Sequence, residues 1–327
     1  VEVTLNNEPA VNGEPALHSV TSDGVEYTFY DPADVQVTGV FPLGGPTGGG
    51  TLVTLTGAGF ADRGGVFCRF GGLGERHLRW NTMDGVVPAT LLSATQLLCL
   101  SPPGGLDDVG RAVDGGEAAA VALTLNEDHG AYSATDAVFV YENVTGRVDA
   151  TLPVAGPSSG GSLLNVSGGG FADMGQPLCR FGSQEYVTNA TVVSPELMQC
   201  RTPATSGPGL LASVPADGQR EWVRVSLNGQ QYLRSGASFV FYEQKLVRVS
   251  ALVPQGGQLA GGTQVVVLGT GFADHAVHCL FSTQLVEARL LNASALRCTA
   301  PFRASAVVQA VEVTLNNEPA VNGEPAL

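Results

Sequence analysis

Lysine is nearly missing from this sequence. Of its 16 Lys and Arg residues Lys245 is the single lysine, set against 30 Asp and Glu, for a formal net charge of −14. That balance excludes nucleic acid and anionic membrane surfaces as partners, because both select clustered basic residues. Only 14% of the chain is charged. No apolar run reaches the roughly 18 residues that a spanning helix needs, so no membrane insertion is expected in this segment. No basic stretch followed by an apolar one opens the chain as a secretory leader would, which says little if the chain begins inside an array. Apolar residues spaced for a helix face are scarce. The 43 glycines follow no Gly-X-Y period, which excludes collagen.

What is present is β-forming. The chain is 44% hydrophobic with a mean hydropathy of +0.15, enough for real cores, and its length suits two or three domains. Val, Thr, Leu and Ala alternate in short runs separated by Gly and Pro, which reads as all-β. In "TLVTLT", Val53 and Leu55 fall on one face and Leu52, Thr54 and Thr56 on the other. In "SLLNVS", Leu164 and Val166 repeat the inward pair and Asn165 points outward.

The runs repeat. "GGTLVTLTGAGFAD" (Gly49–Asp62), "GGSLLNVSGGGFAD" (Gly160–Asp173) and "GGTQVVVLGTGFAD" (Gly261–Asp274) align, and each leads to a Cys, a second Cys followed closely by Pro, and a strand ending in Leu-Asn. Two copies then close on "AVFVY" and "SFVFY". The third stops at "VEVTLN", and its closing strand, "VEYTFY" (Val25–Tyr30), follows the first "VEVTLN" near the other end. The first seventeen residues, Val1–Leu17, recur as Val311–Leu327, so the unit repeats after 311 − 1 = 310 residues. The chain therefore reads as a frame-shifted window. Residues 1–34 are the final strands of a preceding domain, 35–146 and 147–244 are complete domains, and 245–327 is a domain lacking its last strand. From the last Tyr of one domain to the first Pro of the next is twelve residues in all three junctions, Tyr30–Pro42, Tyr141–Pro153 and Tyr242–Pro254. A free linker would vary, so each closing strand is expected to feed almost directly into the next domain.

These motifs, with their "GG[TS]", "GxGF" and paired Cys in register three times, resemble the IPT/TIG domain, the immunoglobulin-like fold of plexins, related receptors and some transcription factors. The resemblance covers nearly the whole chain and implies tandem seven-strand β-sandwiches. Acidity and paired cysteines do not fit the transcription-factor branch.

Six cysteines allow fifteen pairings. The repeat favours Cys68–Cys99, Cys179–Cys200 and Cys279–Cys298, one bridge per domain, the alternative being three pairs of buried thiols. One pair per domain suits an oxidising compartment. Sequons at Asn143, Asn165, Asn189 and Asn292 point the same way, with N-linked glycans as expected partners.

No catalytic, cofactor or metal residue stands out. "GPSSG" (Gly156–Gly160) spells a nucleophile elbow but precedes a strand where the elbow needs a helix. The "GxGFAD" segments open like a dinucleotide loop, yet carry Asp62, Asp173 or Asp274 at the sixth place and no helix after it. Their glycines suit turns with positive φ, and Phe60, Phe171 and Phe272 suit core plugs. His275, His278 and Cys279 in "HAVHC" lack counterparts in the sister loops. Asp107 and Asp108 have no ordered ligand loop for Ca²⁺. Trp80 and Trp222 sit at unlike places, as packing residues do. The expected function is therefore structural: a segment of a long extracellular fibre of tandem domains, joined end to end to further copies of itself by a continuous repeat or by strand complementation, the continuous repeat being favoured because a donor needs one copy of "VEVTLN" and the chain carries two. The alternative is a plexin-like or adhesion ectodomain that recognises protein or carbohydrate, with the long Cys68–Cys99 loop as its candidate surface.

Overall fold

The computed structural model describes residues 26–72, 85–104, 117–129, 132–142, 146–182, 186–205 and 218–316. Within them the chain forms three successive β units.

The first unit contains β1 (Gln36–Phe41), β2 (Gly44–Pro46), β3 (Leu52–Ala58), β4 (Phe67–Gly72), β5 (Val86–Ser93), β6 (Gln96–Leu100), β7 (Glu117–Thr124), β8 (Ala134–Thr135) and β9 (Val138–Glu142). The second repeats this plan with β10 (Arg147–Leu152), β11 (Ala155–Pro157), β12 (Leu163–Gly169), β13 (Leu178–Phe181), β14 (Val187–Ser194), β15 (Leu197–Arg201), β16 (Gln219–Ser226), β17 (Arg234–Ser235) and β18 (Ser238–Tyr242). The third contains β19 (Arg248–Val253), β20 (Gln264–Thr270), β21 (His278–Phe281), β22 (Gln284–Asn292), β23 (Ala295–Thr299) and β24 (Val311–Thr314).

In the first unit the strands run in the order β2-β9-β7-β4-β5-β6-β3-β1-β8. β5 joins two layers: Val86–Pro88 pair with β4, and Ala89–Ser93 with β6. Folding at that strand makes the sandwich. Val53, Leu55, Leu164 and Val166 are fully buried, while Leu52 is 47% exposed on the other face of the same strand, as the alternation requires. The disulfides Cys68–Cys99, Cys179–Cys200 and Cys279–Cys298 cross from one layer to the other through the core, with Cα atoms 6.3–6.4 Å apart.

The "GxGF" motif has a steric explanation. A Cβ on Gly57 or Gly168 would stand 2.6 Å from the ring of Phe60 or Phe171, so the first glycine leaves room for the plug. The second, Gly59, Gly170 or Gly271, has φ near +72 to +75°, a conformation side chains disfavour. It turns the chain so that Phe60, Phe171 and Phe272 enter the core, each 3% exposed.

The equal Tyr-to-Pro counts conceal a shift of one residue. β2 places Gly45 opposite Tyr141, whereas β11 places Gly156 opposite Phe241. Phe241, and not Tyr242, thus takes Tyr141's place in the core. Measured from equivalent strand positions, the second-to-third junction is one residue longer. Nor do the strands connect without interruption: single 3-10 turns, Pro32–Asp34 and Gln244–Leu246, intervene, capped by Asp31 and Glu243.

Candidate functional site: the unit junctions and an open sheet edge

In the second and third units the residue after "GFAD" is where units meet. In the second unit it is Met174, which is 4% exposed. Its side chain lies against Gly44 of the first unit, where a Cβ would come within 3.4 Å of Met174 Cγ. Leu43 N donates to Met174 O at 2.8 Å. The loop after Leu227 completes the contact. Asn228 Nδ2 donates to Gly44 O at 3.1 Å, and Gln231 Nε2 to Gly50 O at 3.2 Å. Gln230 forms a reciprocal pair with Leu52, accepting from its N–H and donating to its C=O, both at 2.8 Å. A backbone hydrogen bond, side-chain amides and a buried thioether therefore fix this junction together.

The counterpart of Met174 in the third unit is His275. Its ring stacks on Tyr242 of the second unit, centroids 6.4 Å apart and planes 9° from parallel. Tyr242 and Val240 are buried and belong to the same apolar cluster as Val247 and Phe272, so the end of β18 packs into the third unit. Burial lowers the His275 pKa from its ordinary 6.5; nearby Asp274 opposes that shift and Arg220 adds to it. In the first unit the position is Arg63, and Tyr30 meets the same end, its hydroxyl donating to Asn126 Oδ1 at 3.1 Å.

The far side of the third unit differs from that of the other two. In the first two units the closing strand lies between two neighbours, antiparallel to β7 or β16 and parallel to β2 or β11. Among the described residues the third sheet has no such strand. β24 spans four residues where β16 spans eight. A groove of about 440 Å³ runs there, lined among others by Gly256, Gly257, Phe281, Val307, Val308 and Gln309. Val308 is wholly exposed and Phe302 66% exposed.

Of the residues singled out in sequence, all six cysteines pair within their own units. Asn189 and Asn292 are exposed; Asn165 is half-buried on the outer face of β12 and accepts from Gln199 Nε2 at 2.8 Å; Asn143 lies outside the described residues. "GPSSG" falls in β11 and the turn after it, with Ser158 Oγ donating to Glu243 Oε2 at 3.2 Å. His278 Nδ1 sits 2.8 Å from Ala276 O. Trp222 is 56% exposed on β16. Trp80, Asp107, Asp108 and Leu73–Asp84 of the long loop lie outside the described residues. The junction roles of Met174 and His275 escaped sequence reasoning. The one available signal was a chemically variable position directly after an invariant "GFAD".

A model of the IPT/TIG domain matches the chain three times, over residues 36–126, 147–241 and 248–325. No curated protein matches the sequence. Solved structures similar to it include a plexin A4 full extracellular region, at 18% identity and a TM-score of 0.44, with 92% of this chain and 25% of that one covered. A second plexin A4 extracellular structure has 15% identity, a TM-score of 0.34 and coverages of 92% and 35%. The Bacteroides ovatus mixed-linkage glucan utilization locus protein SGBP-B, bound to a heptasaccharide, has 8% identity, a TM-score of 0.25 and coverages of 86% and 61%. The chain thus spans about a quarter to a third of the plexin structures it matches.

Proposed function

Because the chain belongs to the IPT/TIG domain family, its three units are tandem immunoglobulin-like β-sandwiches, and we propose that they serve as a structural segment of a long extracellular fibre. The carrying observation is the closed junction between the first two units, where Met174, Asn228, Gln230 and Gln231 hold Leu43–Leu52. A recognition ectodomain needs no such continuity, whereas a load-bearing rod does. Repeats that touch mainly their neighbours extend in one dimension. The proposed divisions are 1–34, 35–146, 147–244 and 245–327, with a 310-residue period. One disulfide per unit supports an oxidising, extracellular setting. Exposed Asn189 and Asn292 support N-glycosylation there.

Micrographs of the native material test this reading. A rod with a three-unit period on the order of 100–130 Å is expected, since a sandwich strand spans roughly 25–35 Å and each junction adds about three extended residues at roughly 3.3 Å each. Discrete globular particles overturn it. Mass spectrometry of the native protein is expected to find glycans on at least two sequons, and four bare asparagines count against the extracellular setting.

A further inference from the structure

We propose that the outer face of β13 and β16 in the second unit binds an acidic polysaccharide, with Trp222 stacking on a sugar ring and Arg180, Arg220 and Arg224 meeting its carboxylate or sulfate groups. The site lies within one unit and is independent of the fibre reading.

The first observation is a concentration of positive charge that the composition hides. The chain has 30 acidic and 16 basic residues. Yet the strands of this layer, β11, β13, β14, β16 and β18, carry three arginines and one carboxylate. That carboxylate, Glu221, lies opposite Phe239 on the core-facing alternation of β16 and accepts from Gln219 Nε2 at 3.1 Å. Arg180 and Arg224 stand directly opposite one another across β13 and β16. Like charges so placed destabilise a sheet. The one ion pair among the described residues is Arg147–Asp149, so no described carboxylate neutralises either arginine. The Arg180 guanidinium rests on Tyr232, 3.9 Å from the ring centroid, and its Nε has no acceptor among the described residues. A bound anion would offset the repulsion that the protein leaves uncompensated.

The second observation is Trp222. It stands two places from Arg220 and two from Arg224 on the same face of β16, about 6.6 Å from each at roughly 3.3 Å per residue. All three side chains are exposed. The cross-strand neighbours of Trp222 are Ser238 on β18 and Gly182 just past β13, whose N–H donates to Trp222 O at 2.9 Å. Neither is large enough to cover an indole, and the ring stays 56% exposed. Arg220 is held beside it, Nη1 donating to Ser238 Oγ at 2.8 Å. An open aromatic plane flanked by arginines suits a sugar ring, which offers an apolar C–H face to the indole and acid groups to either side. The acidic side chains of another protein would satisfy the arginines but lay no apolar face on the indole.

The third observation is that the fold does not need these residues. In the first unit the same register puts Arg69 opposite Ala122, with Ala120 and Ala118 in the places of Trp222 and Arg220. In the third it puts Leu280 opposite Glu312, with Ala310 in the place of Trp222. Arg69 also lies over a ring, that of Tyr132 at 4.9 Å, so the Arg–Tyr contact belongs to the shared fold. The opposed arginines and the exposed tryptophan belong to the second unit alone. Since alanine serves the same sheet, a charge repulsion and a wet indole at these places answer to a ligand.

The test passes the full 327-residue chain over surfaces carrying polygalacturonate, heparin or a neutral glucan, read by surface plasmon resonance. Binding is expected to polygalacturonate, to heparin or to both, which tells carboxylate from sulfate as the preferred group, and at least tenfold more weakly to the neutral glucan. Trp222→Ala and Arg224→Ala are each expected to weaken binding at least tenfold. The melting of the second unit should not change, since the first unit carries alanine at both places. No binding to either acidic polymer overturns the proposal. So does a Trp222→Ala chain that binds like the wild type, which would reduce the face to an ion exchanger. Polyglutamate held as tightly as the polysaccharides would assign the face to an acidic protein, and self-association lost in Arg224→Ala would assign it to a second copy; either result overturns the proposal. Asn189 is exposed on the neighbouring strand. Binding that appears only in Asn189→Gln would give the face to the chain's own glycan, which also overturns it.

Discussion

Gln230→Ala should loosen the first junction without weakening either unit. The side chain lies on the surface of the second unit and makes its two bonds to Leu52 of the first. A net hydrogen bond contributes about 0.5–1.5 kcal/mol. Both bonds are solvent-exposed, so the lower part of the range applies, and the pair is worth about 1–2 kcal/mol. That corresponds to a roughly 5- to 30-fold fall in the ratio of docked to undocked junctions. Single-molecule energy transfer between dyes on the two units is expected to show a broader distance distribution, with the melting of each unit unchanged. Gln230→Glu separates the two bonds. Its carboxylate can still accept from Leu52 N but can only repel Leu52 O, so its loss should equal or exceed that of alanine. If both variants keep the wild-type distribution, the amide pair contributes nothing, and the contacts of Met174, Asn228 and Gln231 hold the units.

The second-to-third junction should respond to pH. Burial disfavours the charged form of His275, so its stabilising contribution is fully present above the ordinary value of 6.5 and is lost as pH falls below it through the lowered folded-state value. Energy transfer across that junction between roughly pH 8 and 5 should report loosening on the acid side, and His275→Gln should abolish the response; an equal response in the variant would refute the assignment. Phe171→Ala should destabilise the second unit by about 3–5 kcal/mol, seen in its denaturant midpoint, because the plug is buried between layers. A loss below about 1 kcal/mol would mean the site collapses around the missing ring. Replacing Cys179 and Cys200 by Ala should cost about 3 kcal/mol, given the 21-residue separation. An unchanged midpoint would show that the bridge does not constrain the unfolded chain.

The sequence by itself determined which residues line each core and which cysteines meet. Strand alternation is a local property: Val53 and Leu55 must share a face wherever the strand lies, and a threefold repeat places each Cys pair in the same two layers. The same repetition marked "VEYTFY" as the counterpart of β18. The tertiary structure decided what depends on distant segments. The register that puts Phe241 in Tyr141's place follows from pairing with β11 and β2, not from the Tyr-to-Pro count. Met174 and His275 became junction residues because "GFAD" ends at the pole of a sandwich, facing whatever unit precedes it. Nothing local to either residue records that neighbour. The groove lined by Phe281, Val307 and Val308 likewise exists only once β19–β24 have assembled, since its walls come from residues about 50 positions apart in the chain.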